Sequence, residues 1–440
     1  MSSERLVLAL ALVGCSGGDD AGDPPDRGVR DLSATPLDTM PTVLEVTWRT
    51  AEPTAGRVRF GVGAARDRVT PEQAPATEHR VLLVGLPSES AVELQVEIDG
   101  DAVGEPLTAA TGALPGEAPA LTVEGGGNDH FTATVLMREQ AARVVLLDPE
   151  GRVTWLHEDR RGLSVFRARV AHDGEGIVYL SSIVQGGPSP DSRLVRVGWD
   201  GLETEEIAIP DLAHDFVELP DGTLVALAYE TRGDVLGNAL IEIPPGGDPR
   251  PVWSSWDCFD PAVHLSDDPP QGWTHANALD WDPSADAFLV GMRNLNGITQ
   301  VDRATGACAW TLGGIAGDVA IQGEQRFRHQ HQFERTDDGL LVFDNDGMPG
   351  QESRILAFSL DPAAKTAKVL GQLGADPPLF SFILGDVHRV DGGDTLVVWS
   401  APGKMDRLDA SGARTFRVSA PEGTLMGFAH WLPDPYVVPE

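Results

Sequence analysis

Cysteine is scarce in this chain, with three residues in 440, at positions 15, 258 and 308. No two of them form a CxxC pair, which argues against a zinc site built from cysteines. Positive charge is also thin: 33 basic side chains face 67 acidic ones, a formal charge of −34. That balance excludes nucleic acid as a partner, because such binding rests on neutralising phosphates. A small anion is still allowed, since exposed charges are screened over roughly 8–10 Å and a local cluster of Arg and His can act on its own. The apolar run LVLALALVG near the start is too short to span a bilayer. Helix-forming periodicity is nearly absent. Histidine numbers only 11, so its placement carries weight.

Glycine (49) and proline (33) are spread along the chain, and 41% of residues are hydrophobic, a composition of many short strands joined by turns around buried cores. Arg5 and the apolar run read as a secretory signal. The sequence Leu12-Val13-Gly14-Cys15 resembles the lipobox of bacterial lipoproteins. That resemblance implies a signal peptide over 1–14, acylation of Cys15 and a polar tether over 15–30. The expected location is the cell envelope, at the outer membrane, with lipid the only contact to the bilayer. Residues 31–112 contain the alternating runs 43–50, 56–62, 79–86 and 91–99. They resemble a fibronectin type III β-sandwich, with 113–121 as linker.

From 122 to 440 the sequence repeats. Units open at His214, His275, His331 and Asp386, spaced by 61, 56 and 55 residues, and each passes through a short strand, an Asp/Gly turn and further strands. An earlier copy runs over 167–208. The stretch 132–158 supplies outer strands of one more, and 427–434 is placed to provide its innermost strand. The fold expected is all-β: a β-propeller of six blades, with seven as the alternative, behind a small sandwich. In a propeller the first strand of each blade lines the central channel. His214, His275, His331 and Asp386 are then expected at one mouth, with Arg167 from the preceding blade. Asn277 follows two residues after His275, and Arg293 ends the next strand; both are expected at the same mouth. One such histidine is more simply a structural residue. Three in register, beside Arg and Asn, favour a functional site. His172, His388 and His430 fall outside the register and read as structural or surface residues. Asp344-Asn345-Asp346-Gly347 lacks the spacing of an EF-hand and reads as a turn. Trp281, Trp310 and Trp399 read as blade-packing residues. Whether Cys258 pairs with Cys308 is left open.

The segments HD (214–215), HAN (275–277), MRNLNGITQVDRATGACAWTLGG (292–314) and HQHQFERTDDGLLVFDNDG (329–347) resemble the bacterial arylsulfate sulfotransferases. The resemblance implies transfer of a sulfuryl group from an aryl sulfate to a phenolic acceptor, without nucleotide, metal or other cofactor. It makes His331 the sulfurylated nucleophile and places His214, His275, Asn277 and Arg293 around the sulfate; Arg167 and Asp386 are expected as further substrate contacts from their place in the repeat. Neutral imidazole suits nucleophilic attack near pH 7, and Arg and Asn suit sulfuryl oxygens. No GxxxxGK[ST] loop for a nucleotide donor is present, and Cys258-Phe259-Asp260-Pro261 is not a C-x-P-x-R sulfatase motif. Two other functions compete. One is a metal site formed by His214, His275, His331 and Asp386; the other is a non-catalytic, ligand-binding surface lipoprotein.

Overall fold

A computed structural model describes residues 28–437 apart from 117, 140, 183–186, 267–271, 338 and 346–351. The proposed signal peptide, Cys15 and most of the tether lie outside the described residues. The N-terminal part is organised by one 19-residue strand, Leu44–Val62. Its first half pairs with Arg30–Pro36 and Gln73–Leu83, and its second half with Arg68–Val69 and Ala91–Ile98, which carries Asp101–Ala110 at its edge. The sequence suggests two strands here, 43–50 and 56–62. They are joined into one because the strand bends through register shifts between Arg49 and Gly56. Gly56 allows the bend to close on Trp48, since a Cβ there would stand 3.1 Å from the indole. Alternate residues of both halves, including Val46, Trp48, Val58 and Phe60, share one buried core with Leu83, Leu94 and Val96.

The described residues of the remainder form six sheets around a ring, which favours six blades over seven. The second, third and fourth blades are four-stranded meanders that start with Ser164–Val170, Leu212–Glu218 and Ala276–Asp282. The fifth starts with Phe333–Thr336 and the sixth with Asp386–Arg389. Inner strands are buried nearly throughout, as in Gly176–Ser182, whereas the outermost strand of that blade, Glu203–Ala208, is largely exposed. Strands covered on both faces by neighbouring blades need apolar residues at every position, which is why their two-residue alternation fades.

The ring closes as the sequence suggests. His430–Leu432 pairs with Phe131–Arg138 as the innermost strand of the first blade. A second closure was not visible in the sequence: Thr122–Gly125 adds itself to the outer edge of the sixth blade, against Arg414–Ser419. Both chain ends of the propeller are therefore held by backbone ladders from the other end.

The sandwich packs on the face of the ring where the inner strands end. Tyr436 Oη donates to Leu82 O (2.6 Å) and accepts from Val84 N (2.8 Å), and Arg68 pairs with Asp434 (2.8 Å) over the ring of Phe131. The strand starts, where the histidines stand, face the opposite way. Trp310 and Trp399 are buried among the blades as expected. Trp281 is only partly buried and lines a cavity at the strand ends. Cys258 and Cys308 are bonded, tying the outer edges of the third and fourth blades across a separation of 50 residues.

Candidate active site

Three of the predicted imidazoles meet at the mouth formed by the strand starts. His214 lies where Leu212–Glu218 shifts register between Leu212 and Phe216. Such an irregularity re-aims a side chain out of the ordinary alternation. The His214 ring is stacked on Phe166 (centroids 5.9 Å apart) and lies 4.7 Å from the ring of His275. His275 precedes its strand with φ of 45°, a left-handed conformation that a side chain adopts only when its surroundings impose it. The clamp is visible. Asn238 Oδ1 accepts from Thr274 Oγ1 and from Ala276 N, both at 2.8 Å, and His275 O accepts from Arg293 N at 3.1 Å. His329, in the approach to His331, has φ of 51° and is held by Asn296 Oδ1 on its N–H (2.7 Å).

Arg293 opens the short turn after Ala287–Met292, and its Nη1 donates to Asn294 Oδ1 (2.7 Å). Asn277 is fully buried, with Nδ2 donating to Gln330 O (2.8 Å). Gln330 in turn donates from Nε2 to Met292 O and Gly297 O. His214 Nδ1, Asn277 Oδ1 and Gln330 Oε1 are buried and find no hydrogen-bond partner among the described residues. Buried polar atoms left without protein partners cost about 1–3 kcal/mol each, and three in one neighbourhood suit a site that takes a polar ligand.

His331 is buried and keeps the company the sequence suggests. Burial pushes its imidazole down to about 3, aided by the charge of Arg293 and by His214, against the hydrogen bond it donates to Asn345, which pulls the other way. Burial, with Arg293, also lowers His214 to about 4, although Asp215 opposes the shift. Both rings are therefore neutral at pH 7, as a nucleophile must be.

Two predicted substrate contacts are placed elsewhere. Asp386 was aligned with the histidines, but the strand register sets it one residue deeper. Phe216 pairs with Ala226 and Val387 with Val397, so Asp215, not His214, is its equivalent. Each of these carboxylates accepts from the next residue's N–H at 2.9 Å. Arg167 bridges the two, with Nε to Asp215 Oδ1 at 2.7 Å and Nη1 to Asp386 Oδ2 at 3.4 Å, and it also donates to Ala429 O. Gln332 Nε2 donates to Asp215 Oδ2 (2.8 Å), and His388 Nε2 lies 3.2 Å from Asp386 Oδ2. Arg167, Asp215 and Asp386 are at most 1% exposed. They form an ionic layer across the channel beneath the histidines and hold the blades together. They do not line the mouth. The proposed set of three imidazoles with Asp386 is for the same reason not assembled, and no group of three or more His, Cys, Asp or Glu among the described residues is placed to hold a metal ion.

Below that layer a cavity of about 940 Å³ opens toward the strand ends, lined by Arg169, Asp280, Glu334, His388, His430 and Trp431 among others. Two of the three off-register histidines, His388 and His430, thus line the channel, where their hydrogen bonds to Ala429 O and Val170 N give them the structural role expected of them. For His388, burial opposes the charged form, but Asp386 and Glu334 outweigh it and raise the imidazole to about 10. His430 Nδ1 accepts from Val170 N (3.0 Å).

One residue of the site escaped the sequence reading. Asn345, taken for part of a turn, is 1% exposed, and its Oδ1 lies 2.9 Å from His331 Nδ1. A signal was present: Asn345 follows Gly339–Asp344 as Arg293 follows Ala287–Met292, so the two hold the same place in adjacent blades.

No curated protein matches the chain. Among solved structures, a protein of unknown function from Bacteroides caccae is similar at 10% identity and a TM-score of 0.45, covering 69% of this chain and all of that one. A β-propeller domain from Myceliophteria thermophila is similar at 14% identity and a TM-score of 0.41, covering 70% of this chain and 90% of its own. Virginiamycin B lyase from Staphylococcus aureus gives 10% identity and a TM-score of 0.38, covering 68% and 88% respectively. The family description "Arylsulfotransferase (ASST)" matches residues 122–422, from the added outer strand through all six blades to the turn before the closing strand. That span exceeds half the chain and contains every histidine of the mouth, so the protein is a member of the arylsulfotransferase family.

Proposed function

We propose that this arylsulfotransferase moves a sulfuryl group from an aryl sulfate to a phenol by double displacement through His331. The observation that carries this reading is a buried, neutral His331 set beside Arg293 and the paired rings of His214 and His275. In the first half-reaction a ring nitrogen of His331 donates its lone pair to sulfur. An N–S bond forms, the S–O bond to the aryl group breaks, and that electron pair leaves on the phenolate oxygen. Arg293 holds the sulfuryl oxygens as charge spreads over them, while Asn277 turns its Nδ2 to Gln330 O and leaves the accepting Oδ1 unpartnered. The phenolate leaves as the anion beside Arg293 and takes its proton from solvent, because burial keeps His214, with His275 against it, neutral. In the second half-reaction the same pair takes the acceptor's phenolic proton, the acceptor oxygen attacks sulfur, and the N–S bond breaks to restore neutral His331.

The test uses the chain without residues 1–19, a chromogenic aryl sulfate and a range of phenols. Release of chromophore should depend on the acceptor, and mass spectrometry of protein quenched with donor alone should find a sulfuryl group on the peptide containing His331. A label on another residue, or on none, would overturn the mechanism.

The signal segment and its cysteine motivate a second part of the proposal: the protein is lipid-anchored at Cys15, with a fibronectin type III-like sandwich as spacer between membrane and propeller. The pairing of Arg30–Pro36 and Gln73–Leu83 with one half of the long strand, and of Ala91–Ile98 with the other, supports the sandwich part. Full-length protein should incorporate labelled palmitate in a bacterial host and lose it in Cys15→Ala. Equal incorporation by the two would rule the anchor out.

A further inference from the structure

We infer that Asn345 is a positioning residue that selects the tautomer of His331, so that Nε2 is the nitrogen that attacks sulfur; this deepens the reading of His331 as nucleophile and rests on it. An asparagine amide has one accepting and one donating end, and which end faces the imidazole decides where the ring proton resides. Here the choice is forced from the far side. Asn345 Nδ2 donates both hydrogens, to Ser381 O at 2.7 Å and Leu384 O at 2.8 Å. Turning the amide over would set its oxygen against two buried carbonyl oxygens and forfeit both hydrogen bonds. Oδ1 must therefore face His331, and at 2.9 Å it can only accept from Nδ1–H. A neutral imidazole carries one N–H, so Nε2 keeps its lone pair.

The two carbonyls are themselves fixed. Ser381 N donates to Ser353 Oγ (2.9 Å), and Ser381 Oγ donates to Ile383 O (2.8 Å) and accepts from Ala401 N (2.9 Å). The connection into the sixth blade thus sets the proton position on a histidine of the fifth. The neighbouring carboxylate turns away: Asp344 accepts from Arg354 Nε and from Arg328 N, both at 2.8 Å. The charged and titratable groups around the ring are Arg293 after the second strand of the fourth blade and His214 at the start of the third blade with His275 beyond it; on its own segment the backbone carbonyl of His329 also accepts from the ring.

An amide suits the reaction better than a carboxylate would. When Nε2 bonds to sulfur, the ring becomes cationic with its proton on Nδ1, and Oδ1 accepts from that N–H without removing it. The charge left on the ring keeps the imidazole a good leaving group for the second transfer. A carboxylate in the same place would favour imidazolium before attack, protonate Nε2 and remove the nucleophile.

Three measurements test this. In ¹⁵N-histidine-labelled protein, long-range proton–nitrogen correlations, assigned by their loss in H331A, should show Nδ1–H and an unprotonated Nε2. Asn345→Asp should turn a donor kcat/KM that is flat between about pH 5 and 8 into one that falls toward acid pH and recovers on the alkaline side. Asn345→Ala should lower kcat about 10- to 100-fold, as loss of an imidazole-orienting partner does elsewhere, with KM for the aryl sulfate changed little and folding verified by melting. An Nε2–H tautomer in the wild type, or a flat profile in Asn345→Asp together with full kcat in Asn345→Ala, would overturn the inference. The nuclear resonance measurement needs no turnover. An Nδ1–H tautomer with no sulfuryl label on His331 would therefore remove the nucleophile and, with it, the positioning role. A label on His331 with the Nε2–H tautomer would remove the positioning role alone.

Discussion

Alanine at His331 is expected to lower aryl sulfate turnover by at least about 10⁴-fold, the scale on which removal of a covalent nucleophile acts. Neither His214 nor His275 can replace it, because each has its own backbone placement. His214 is stacked on Phe166, and His275 is held by the Asn238 clamp and the Arg293 turn. The fold should survive, since the change removes one buried ring and leaves Asn345 Oδ1 without a partner, a cost of about 1–3 kcal/mol. The pH dependence of the wild-type donor step gives an independent check. Because the folded imidazole is lowered to about 3, its reactive neutral form is present above that value and is lost only as pH falls through it. His214, lowered to about 4, is neutral over the same range, as a base for the acceptor's phenolic proton must be. A donor kcat/KM that fell already between pH 7 and 6 would contradict the environment described for both rings. Turnover by His331→Ala within tenfold of wild type would contradict the mechanism itself.

The second large effect is on stability and lies in the ionic layer. Arg167→Met should destabilise the propeller by about 3–5 kcal/mol, because it leaves Asp215 and Asp386 as buried carboxylates without their shared cation. It also removes the guanidinium from the face of Phe428, 4.6 Å away. Thermal melting should show a fall of roughly 5–15 °C. The loss is larger than for a surface pair because solvent cannot take over the hydration of groups that are at most 1% exposed. Four blades and the closing segment are joined here: Arg167 in the second, Asp215 in the third, Gln332 in the fifth, Asp386 in the sixth, and Ala429 beside the closing strand. A melt within 1 °C of wild type would show that the layer is not what holds the ring together. Activity lost at temperatures where Arg167→Met remains folded would instead return Arg167 to the substrate contacts.

Much of this architecture is legible without coordinates. Strands of a propeller are short, alternate where one face is exposed and are separated by Asp and Gly turns, so the 55- to 61-residue period survives in the sequence. The positions of His214, His275 and His331 in it follow because equivalent strand starts converge on one axis. The off-axis elements were less readable. Thr122–Gly125 carries four exposed residues and no apolar signal of its own, and its place is decided by an open backbone edge on the sixth blade. The cysteine pair depended on the outer edges of two blades meeting, which no local pattern records.

The sequence alone determined the blade repeat and its order, the closure by the C-terminal segment and the set of imidazoles at the mouth. These follow from hydrophobic periodicity and repetition, which are local properties of the chain. Tertiary structure decided what each polar side chain does. Asp386 and His214 look alike in the repeat, yet a one-residue difference in register sends one into the ionic layer and the other to the mouth. Asn345 looks like a turn residue until the carbonyls of Ser381 and Leu384, 36 and 39 residues away, fix which end of its amide His331 meets. Apolar pattern tolerates a shift of one residue where strands begin irregularly. Hydrogen bonds and ion pairs between buried groups do not, because each requires a particular partner at about 3 Å.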